Sequence, residues 1–324
     1  MKKWIAILLC TAMLFGCLTG CGAQKPAQKK LSIVATIFPE YDWVMQILGE
    51  RAKDADVTLL LDSGVDLHSF QPTAKDIITI SNCDAFIYVG GESDEWVEDA
   101  LAEAVNKDMV VVNLLEALGE DVKEEEIVPG MEAEEGEEGE AGEEEGPEYD
   151  EHVWLSLRNT AKLCGNIRDA LIAVDPDGKE IYTANANAYI AKLNALDQKY
   201  QSTVDAAPVK TLLFGDRFPF RYMADDYSIS YYAAFVGCSA ETEASFETIV
   251  FLANKVSELG LNHVMTLEGS DGKIAQTVIS TSSANADILS MDSMQSCTMK
   301  DVKAGVTYLS IMEKNLEVLT QALQ

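Results

Sequence analysis

From Leu31 onward the chain alternates short, unbroken apolar runs with stretches of helical periodicity, and it does so twice. The runs of the first half are Leu31–Ile37, Val57–Leu61, Ala85–Val89 and Met109–Asn113; those of the second are Lys210–Gly215, Ile229–Phe235, His263–Leu267 and Asp287–Met291. A strand with one wet face alternates apolar and polar residues, whereas one covered on both faces stays apolar throughout, as in a parallel sheet between helices. Helical patterns fall between the runs, near Pro39–Gly49, Thr73–Ser81 and Ser93–Ala104, then at Ser245–Leu259, Lys273–Thr281 and Lys300–Leu323. Ser93 has the chemistry of an N-cap, with Glu95 in the first turn after it. Val306, Leu309, Met312, Leu316 and Leu319 give the last helix its buried stripe. The fold class expected is α/β, in two lobes.

Two features divide the chain. Glu120–Glu151 is nearly all Glu and Gly, with Pro129 and Pro147. It has too little apolar surface to offset its ordering entropy, which predicts a disordered loop. It ends at Asp150-Glu151-His152, and a helix is expected from His152 to Ala173. Asp175-Pro176-Asp177 then opens a longer helix, with Tyr182, Tyr189, Leu193, Leu196 and Tyr200 at helical spacing as far as Val204. At about 1.5 Å per residue that helix reaches nearly 40 Å, enough to join two lobes. The expected organisation is a signal over 1–20, a tether over 21–30, a first lobe over 31–174 containing the acidic loop 120–151, a linking helix over 175–205 and a second lobe over 206–324.

The start of the chain reads as an export signal. Lys2 and Lys3 precede the apolar run Trp4–Leu18, which is shorter than the roughly 20 residues of a membrane-spanning helix. Leu18-Thr19-Gly20-Cys21 resembles a bacterial lipoprotein signal, which makes Cys21 the expected lipidation site; Leu14-Phe15-Gly16-Cys17 fits less well because Phe15 is bulky. The polar stretch Gly22–Lys30 suits a tether. The expected address is the outer face of a bacterial cell membrane, lipid-anchored, with a monomeric body. A net charge of −30 opposes nucleic-acid binding, which needs a basic surface. Cys83, Cys164, Cys238 and Cys297 show no CxxC pairing, which argues against a thiolate zinc site and for buried free thiols.

In open α/β sheets ligands bind beyond the carboxyl ends of the strands. Four metal-ligating side chains stand at such places. His68 follows the turn-rich Asp62-Ser63-Gly64-Val65-Asp66, Asp216 ends one strand, Asp292 ends another, and His152 follows the acidic loop. Two imidazoles and two carboxylates complete a shell for a divalent cation. The third histidine, His263, begins an apolar strand and reads as structural, and Trp43, Trp96 and Trp154 read as packing.

Leu60-Leu61-Asp62-Ser63-Gly64-Val65-Asp66-Leu67-His68-Ser69-Phe70-Gln71-Pro72-Thr73 resembles the first-histidine motif of the extracellular metal-binding proteins of zinc and manganese ABC transporters. Ile33-Val34-Ala35-Thr36-Ile37-Phe38-Pro39 resembles that family's opening strand, and Asp150-Glu151-His152-Val153-Trp154-Leu155 its second-histidine motif. The resemblance covers nearly the whole chain after the signal. It implies two Rossmann-like lobes bridged by a long rigid helix, a metal held in the cleft between them, and as partners a membrane permease with its ATPase. It places a third ligand, His or Glu, just after Thr211–Gly215, where this chain reads Phe214-Gly215-Asp216-Arg217-Phe218-Pro219-Phe220-Arg221-Tyr222. Counting back from Phe220 and Tyr222 gives Arg217; counting forward from the strand gives Asp216. A guanidinium has no free lone pair, so Asp216 is the expected ligand. Asp292 matches the last carboxylate. Glu241 and Glu243 are reserve carboxylates, and Glu268 is placed to buttress a ligand.

The expected cargo is zinc, with manganese also compatible with a His2Asp2 shell. The resemblance implies high-affinity capture outside the cell and delivery to an importer, without chemistry on the ligand. A zinc hydrolase is the alternative from another class, but no HExxH motif is present and four protein ligands leave little room for an activated water. A siderophore or cobalamin receptor of the same architecture would not need paired histidines. The glutamates of the acidic loop suit a weak gathering of cations at the cleft mouth.

Overall fold

The computed structural model describes residues 30–132, 148–239 and 243–324. Among these, eight strands form two four-stranded parallel sheets. The first contains β1 (Leu31–Ala35), β2 (Ala55–Leu59), β3 (Ala85–Tyr88) and β4 (Val110–Asn113) in the order β2-β1-β3-β4. The second contains β5 (Thr211–Phe218), β6 (Ser230–Val236), β7 (His263–Leu267) and β8 (Asp287–Met291) in the order β6-β5-β7-β8. The helices of the first lobe are α1 (Phe38–Leu48), α2 (Ala74–Asn82), α3 (Trp96–Ala102), α4 (Leu114–Leu118) and α5 (Leu157–Val174). The long helix α6 (Lys179–Ala206) follows, then α7 (Arg221–Tyr227), α8 (Phe246–Leu259), α9 (Lys273–Thr281), α10 (Met299–Lys303) and α11 (Tyr308–Ala322).

At 28 residues, α6 is about 42 Å long. Its buried stripe is Tyr182, Ala186, Tyr189, Leu193, Leu196, Tyr200 and Val204, as the spacing predicts. The tyrosine hydroxyls show which lobe each part serves. Tyr189 donates to Asp42 of α1 (3.3 Å), and Tyr200 donates to the Met312 carbonyl of α11 (2.6 Å). Asn185 reaches the Ile47 carbonyl from the same helix (3.0 Å). One hydrophobic core runs from Ile33 and Trp43 through α5 and α6 to Tyr308 and Leu319, so apolar packing is shared between the two lobes.

Four local expectations are corrected. Ser93 does not cap α3; it lies in a 3-10 turn, Glu92–Asp94, and its hydroxyl serves His68 instead. The helix after the acidic loop starts at Leu157 rather than His152, because Ser156 caps it by accepting from Asn159 N. Asp175 turns away from the start of α6 to pair with Arg51 (2.6 Å) and accept from Tyr182. The last helix is two helices, α10 and α11, separated at Gly305, whose φ of 94° an α-helix does not permit.

The flanks of the acidic loop are also structured. Glu125 N donates to the Glu148 carbonyl and Asp150 N to the Lys123 carbonyl, both at 2.9 Å. Glu132 N reaches the Ala234 carbonyl of β6 (2.9 Å), and Lys123 N donates to the Tyr222 hydroxyl (3.0 Å). Glutamate side chains add to these backbone bonds in holding the approach to His152 against the second lobe: Glu126 accepts from Tyr231 (3.1 Å) and Glu132 from Ser245 N (2.7 Å). Residues 133–147 of that loop, the signal, residues 21–29 of the tether with Cys21, and Glu241 lie outside the described residues.

Glu40 gives the first lobe a pH-sensitive joint. One carboxylate oxygen accepts from Thr36 N (2.8 Å), Thr36 Oγ1 (3.0 Å) and Ile37 N (3.2 Å), while the other is buried without a hydrogen-bond partner. Burial, helped by the charge of Asp94, raises its pKa from 4.5 to about 8. The folded chain therefore holds this proton more tightly than the unfolded chain does. Its contribution to stability is complete below about pH 4.5 and is lost as the pH rises through about 8. Glu40→Gln keeps an acceptor for the three donors, so denaturant unfolding across that window should show a flatter pH dependence than wild type.

Candidate metal centre

Each histidine is delivered by a short buried turn. Leu67–Ser69 forms a 3-10 turn capped by Asp66, whose carboxylate accepts from His68 N (3.1 Å), and Leu67 is buried beneath it. On the other side Asp150 Oδ1 accepts from His152 N (2.8 Å), and Val153, Trp154 and Leu155 are buried immediately after. The two imidazoles meet with Nε2 atoms 3.2 Å apart. Their other nitrogens are engaged: His68 Nδ1 with Ser93 Oγ (2.8 Å), His152 Nδ1 with Asp150 Oδ1 (3.0 Å). A carboxylate on Nδ1 fixes the tautomer that leaves the Nε2 lone pair for a metal. Burial, with the neighbouring His152, holds the His68 pKa well below the ordinary range, so its ring is neutral and able to ligate.

The walls around the pair are acidic. Glu151 accepts from Ser93 N (2.9 Å) with one oxygen; the other, buried and without a hydrogen-bond partner, lies 3.5 Å from His68 Nδ1. Burial lifts its pKa to about 7. A cavity of about 430 Å³ opens beside His68, lined by Asp66, Asp216, Arg217 and Glu268 among others, large enough to admit a hydrated cation. Gln295, which lines a smaller neighbouring cavity with Asp66, Arg217 and Glu268, places its side-chain amide 2.9 Å from His152 Nε2 and beside both carboxylate oxygens of Asp66.

The structure brings His68 and His152 together and leaves both aspartates out of that cluster. Strand β5 slips register against β6 between Phe214 and Arg217, a bulge that re-aims the side chains there. Asp216 accepts from Arg217 N (2.9 Å) and from Leu267 N on β7 (3.2 Å). Arg217 is the residue that crosses the cleft, meeting Asp66 Oδ2 at 2.7 Å and the Ser239 carbonyl at 3.2 Å. Asp292 caps Met294 N (2.8 Å), and burial raises its pKa. Among the described residues, the third ligating atom within 4.8 Å of both imidazole nitrogens belongs to Cys238. Burial, then the charges of Asp150, Glu125 and Glu151, pushes that thiol well above its usual pKa.

Glu268, expected to buttress a ligand, bonds Ser293 and neither of the histidines. It accepts from Ser293 N and Ser293 Oγ, both at 2.7 Å, and burial with the Asp292 charge raises its pKa to about 7. The Ser293 carbonyl accepts from Trp154 Nε1 (2.9 Å), and the Trp154 ring lies 5.1 Å from that of His152. Glu243 is exposed, with Lys273 nearby, and takes no part. Cys238, Gln295 and Arg217 were not legible as a group, since they are far apart in sequence and match no spacing rule. The doublet Asp150-Glu151 was the usable signal, two carboxylates directly before a histidine. Asp150→Ala should weaken zinc binding about 10–100-fold by freeing the ring orientation, with Asp150→Asn in between, measured by competition against a chromophoric chelator.

Two parallel-sheet lobes share a long helix, with a buried pair of imidazoles at the cleft. The family described as "Zinc-uptake complex component A periplasmic" (ZnuA) matches residues 33–322, and the chain belongs to it. The zinc-binding lipoprotein AdcA of Streptococcus pneumoniae serotype 4 is 34% identical over 321 residues, 99% of this chain and 61% of that protein, so the chain spans about three-fifths of such relatives. The high-affinity zinc uptake system protein ZnuA of Bacillus subtilis is 30% identical over 99% of this chain and 98% of its own length. Among solved structures, the Zn(II)-bound ZnuA-like domain of S. pneumoniae AdcA aligns with a TM-score of 0.70 at 31% identity, covering 91% of this chain and 99% of that one. The metal-dependent lipoprotein YcdH of B. subtilis aligns at 0.74 and 29% identity, over 91% of this chain and 100% of that one.

Proposed function

We propose that this chain captures zinc outside the cell and delivers it to an ABC importer through that transporter's permease and ATPase. The observation that carries the reading is the buried pair of imidazole Nε2 atoms, 3.2 Å apart at the cleft, with both Nδ1 atoms already engaged. Two buried imidazoles that face each other through Nε2 present donor atoms that one cation can bridge. The zinc-binding relatives and the family support zinc as the cargo. The borderline-soft ion also suits imidazole better than manganese does. His68 and His152 are the ligands we assign first. Asp216 and Asp292 now accept backbone N–H groups, and neither is in the cluster that the imidazoles form with Cys238.

The reading is of a solute-binding component and not an enzyme. Lipidation at Cys21 would keep it at the membrane face, in line with relatives named lipoproteins. Among the described residues no helix is long and apolar enough to cross a membrane. The test is elemental analysis of protein purified without chelators, followed by competition titration of Zn²⁺ against Mn²⁺. Tight zinc binding, lost in His68→Ala, is expected; zinc affinity untouched by His68→Ala would end the proposal.

A further inference from the structure

We propose that Cys238 supplies a thiolate as the third protein ligand of this centre, in place of the carboxylate expected from Asp216. This rests on the metal-capture reading above and concerns which atoms complete the shell.

Three observations carry it. First, the Cys238 sulfur and the ring nitrogens of His68 and His152 lie within 4.8 Å of one another, a triangle that one cation can bridge. Second, the turn carrying the sulfur is pressed onto the site. A Cβ at Gly237 would stand 3.0 Å from His152 Cε1 and 3.1 Å from Nδ1, so a side chain there would push Cys238 off the histidine. Third, Glu151, 2% exposed, sets an oxygen without a hydrogen-bond partner 3.5 Å from His68 Nδ1, a buried acceptor against the ring whose Nε2 faces His152.

Arg217 explains why a cysteine serves here. It stands just past the β5 register shift, at one of the two positions where the family resemblance expects a ligand, and a guanidinium cannot ligate. Its two ends instead hold the carbonyl of Ser239, next to Cys238, and the carboxylate of Asp66, two residues before His68. Arg217 is thus a positioning residue for both turns. On binding, M²⁺ replaces the thiol proton, which leaves to solvent, and the thiolate takes the coordination bond. Two imidazoles with a thiolate favour zinc over the harder manganese and magnesium ions.

The experiment uses the full chain loaded with Co²⁺ as a spectroscopic stand-in for zinc. A sulfur-to-cobalt charge-transfer band in the near ultraviolet is expected. It should vanish in Cys238→Ser while the visible cobalt bands persist, and zinc Kd should rise at least about tenfold in that variant. Cobalt bound with visible bands that His68→Ala abolishes, but with no charge-transfer band, overturns the thiolate while leaving zinc capture intact. A charge-transfer band that survives Cys238→Ser overturns it equally. Failure of wild type to bind either cobalt or zinc removes both this inference and the function it rests on.

Discussion

His152→Ala should raise the zinc Kd by more than the roughly 100-fold upper range seen when only a ligand's hydrogen-bond partner is lost. The side chain is fully buried, and its Nε2 faces His68 Nε2 at 3.2 Å. Removing it takes away one ligand and leaves Asp150 Oδ1 with only the backbone N–H of residue 152. It also withdraws the contact of Gln295, whose amide then has Asp66 alone. A competition titration measures the affinity, and a denaturant melt of the metal-free variant separates lost ligation from lost fold. Retained affinity within tenfold of wild type would show that the cation does not sit between the histidines.

Trp154→Ala should be the most destabilising single change near the site, by about 3–5 kcal/mol. The indole is 1% exposed and packs within the shared core. Its Nε1 holds the Ser293 carbonyl, and its own carbonyl accepts from Tyr308 (2.6 Å) and Thr160 (3.3 Å). The alanine variant loses the packing and leaves the Ser293 carbonyl buried without that donor. Zinc affinity should fall with stability, because Trp154 stands between His152 and the strand end braced by Glu268. Trp154→Phe separates the two effects: it restores most of the volume, and its remaining deficit of about 1–3 kcal/mol reports the missing N–H. Equilibrium urea unfolding reads both variants; a cost below about 1 kcal/mol for Trp154→Ala would contradict the packing role.

The strands were readable because burial on both faces writes an unbroken apolar run, and β7 and β8 begin and end where those runs do. The stripe on α6 was readable for the same kind of reason, since a helix nearly 30 residues long repeats its pattern many times. Helix starts were harder: Ser93 and Ser156 are equally good caps in isolation, and only the packing of His68 against Ser93 decides that one caps and the other does not. The histidines stood out by their rarity and by the carboxylates beside them. The second half of the site was hidden by a one-residue slip in β5, which exchanges the roles that Asp216 and Arg217 would have in a regular strand. Cys238 was obscured further, because a ligand that pairs with histidines 86 and 170 residues away in the chain leaves no local spacing to detect.

The tyrosines of α6 are anchored in both lobes at once, and a single oily interior passes behind the cleft. A clamp fused along its spine cannot gape, because bending it would tear buried hydroxyls from their acceptors and wet the packing around them. On the proposed function, loading and unloading then fall to the lips, to the turns Leu67–Ser69 and Gly237–Ser239 and the Arg217–Asp66 link that ties them. Residence time on this protein is accordingly a property of two small loops, open to tuning by substitutions that never touch the cation.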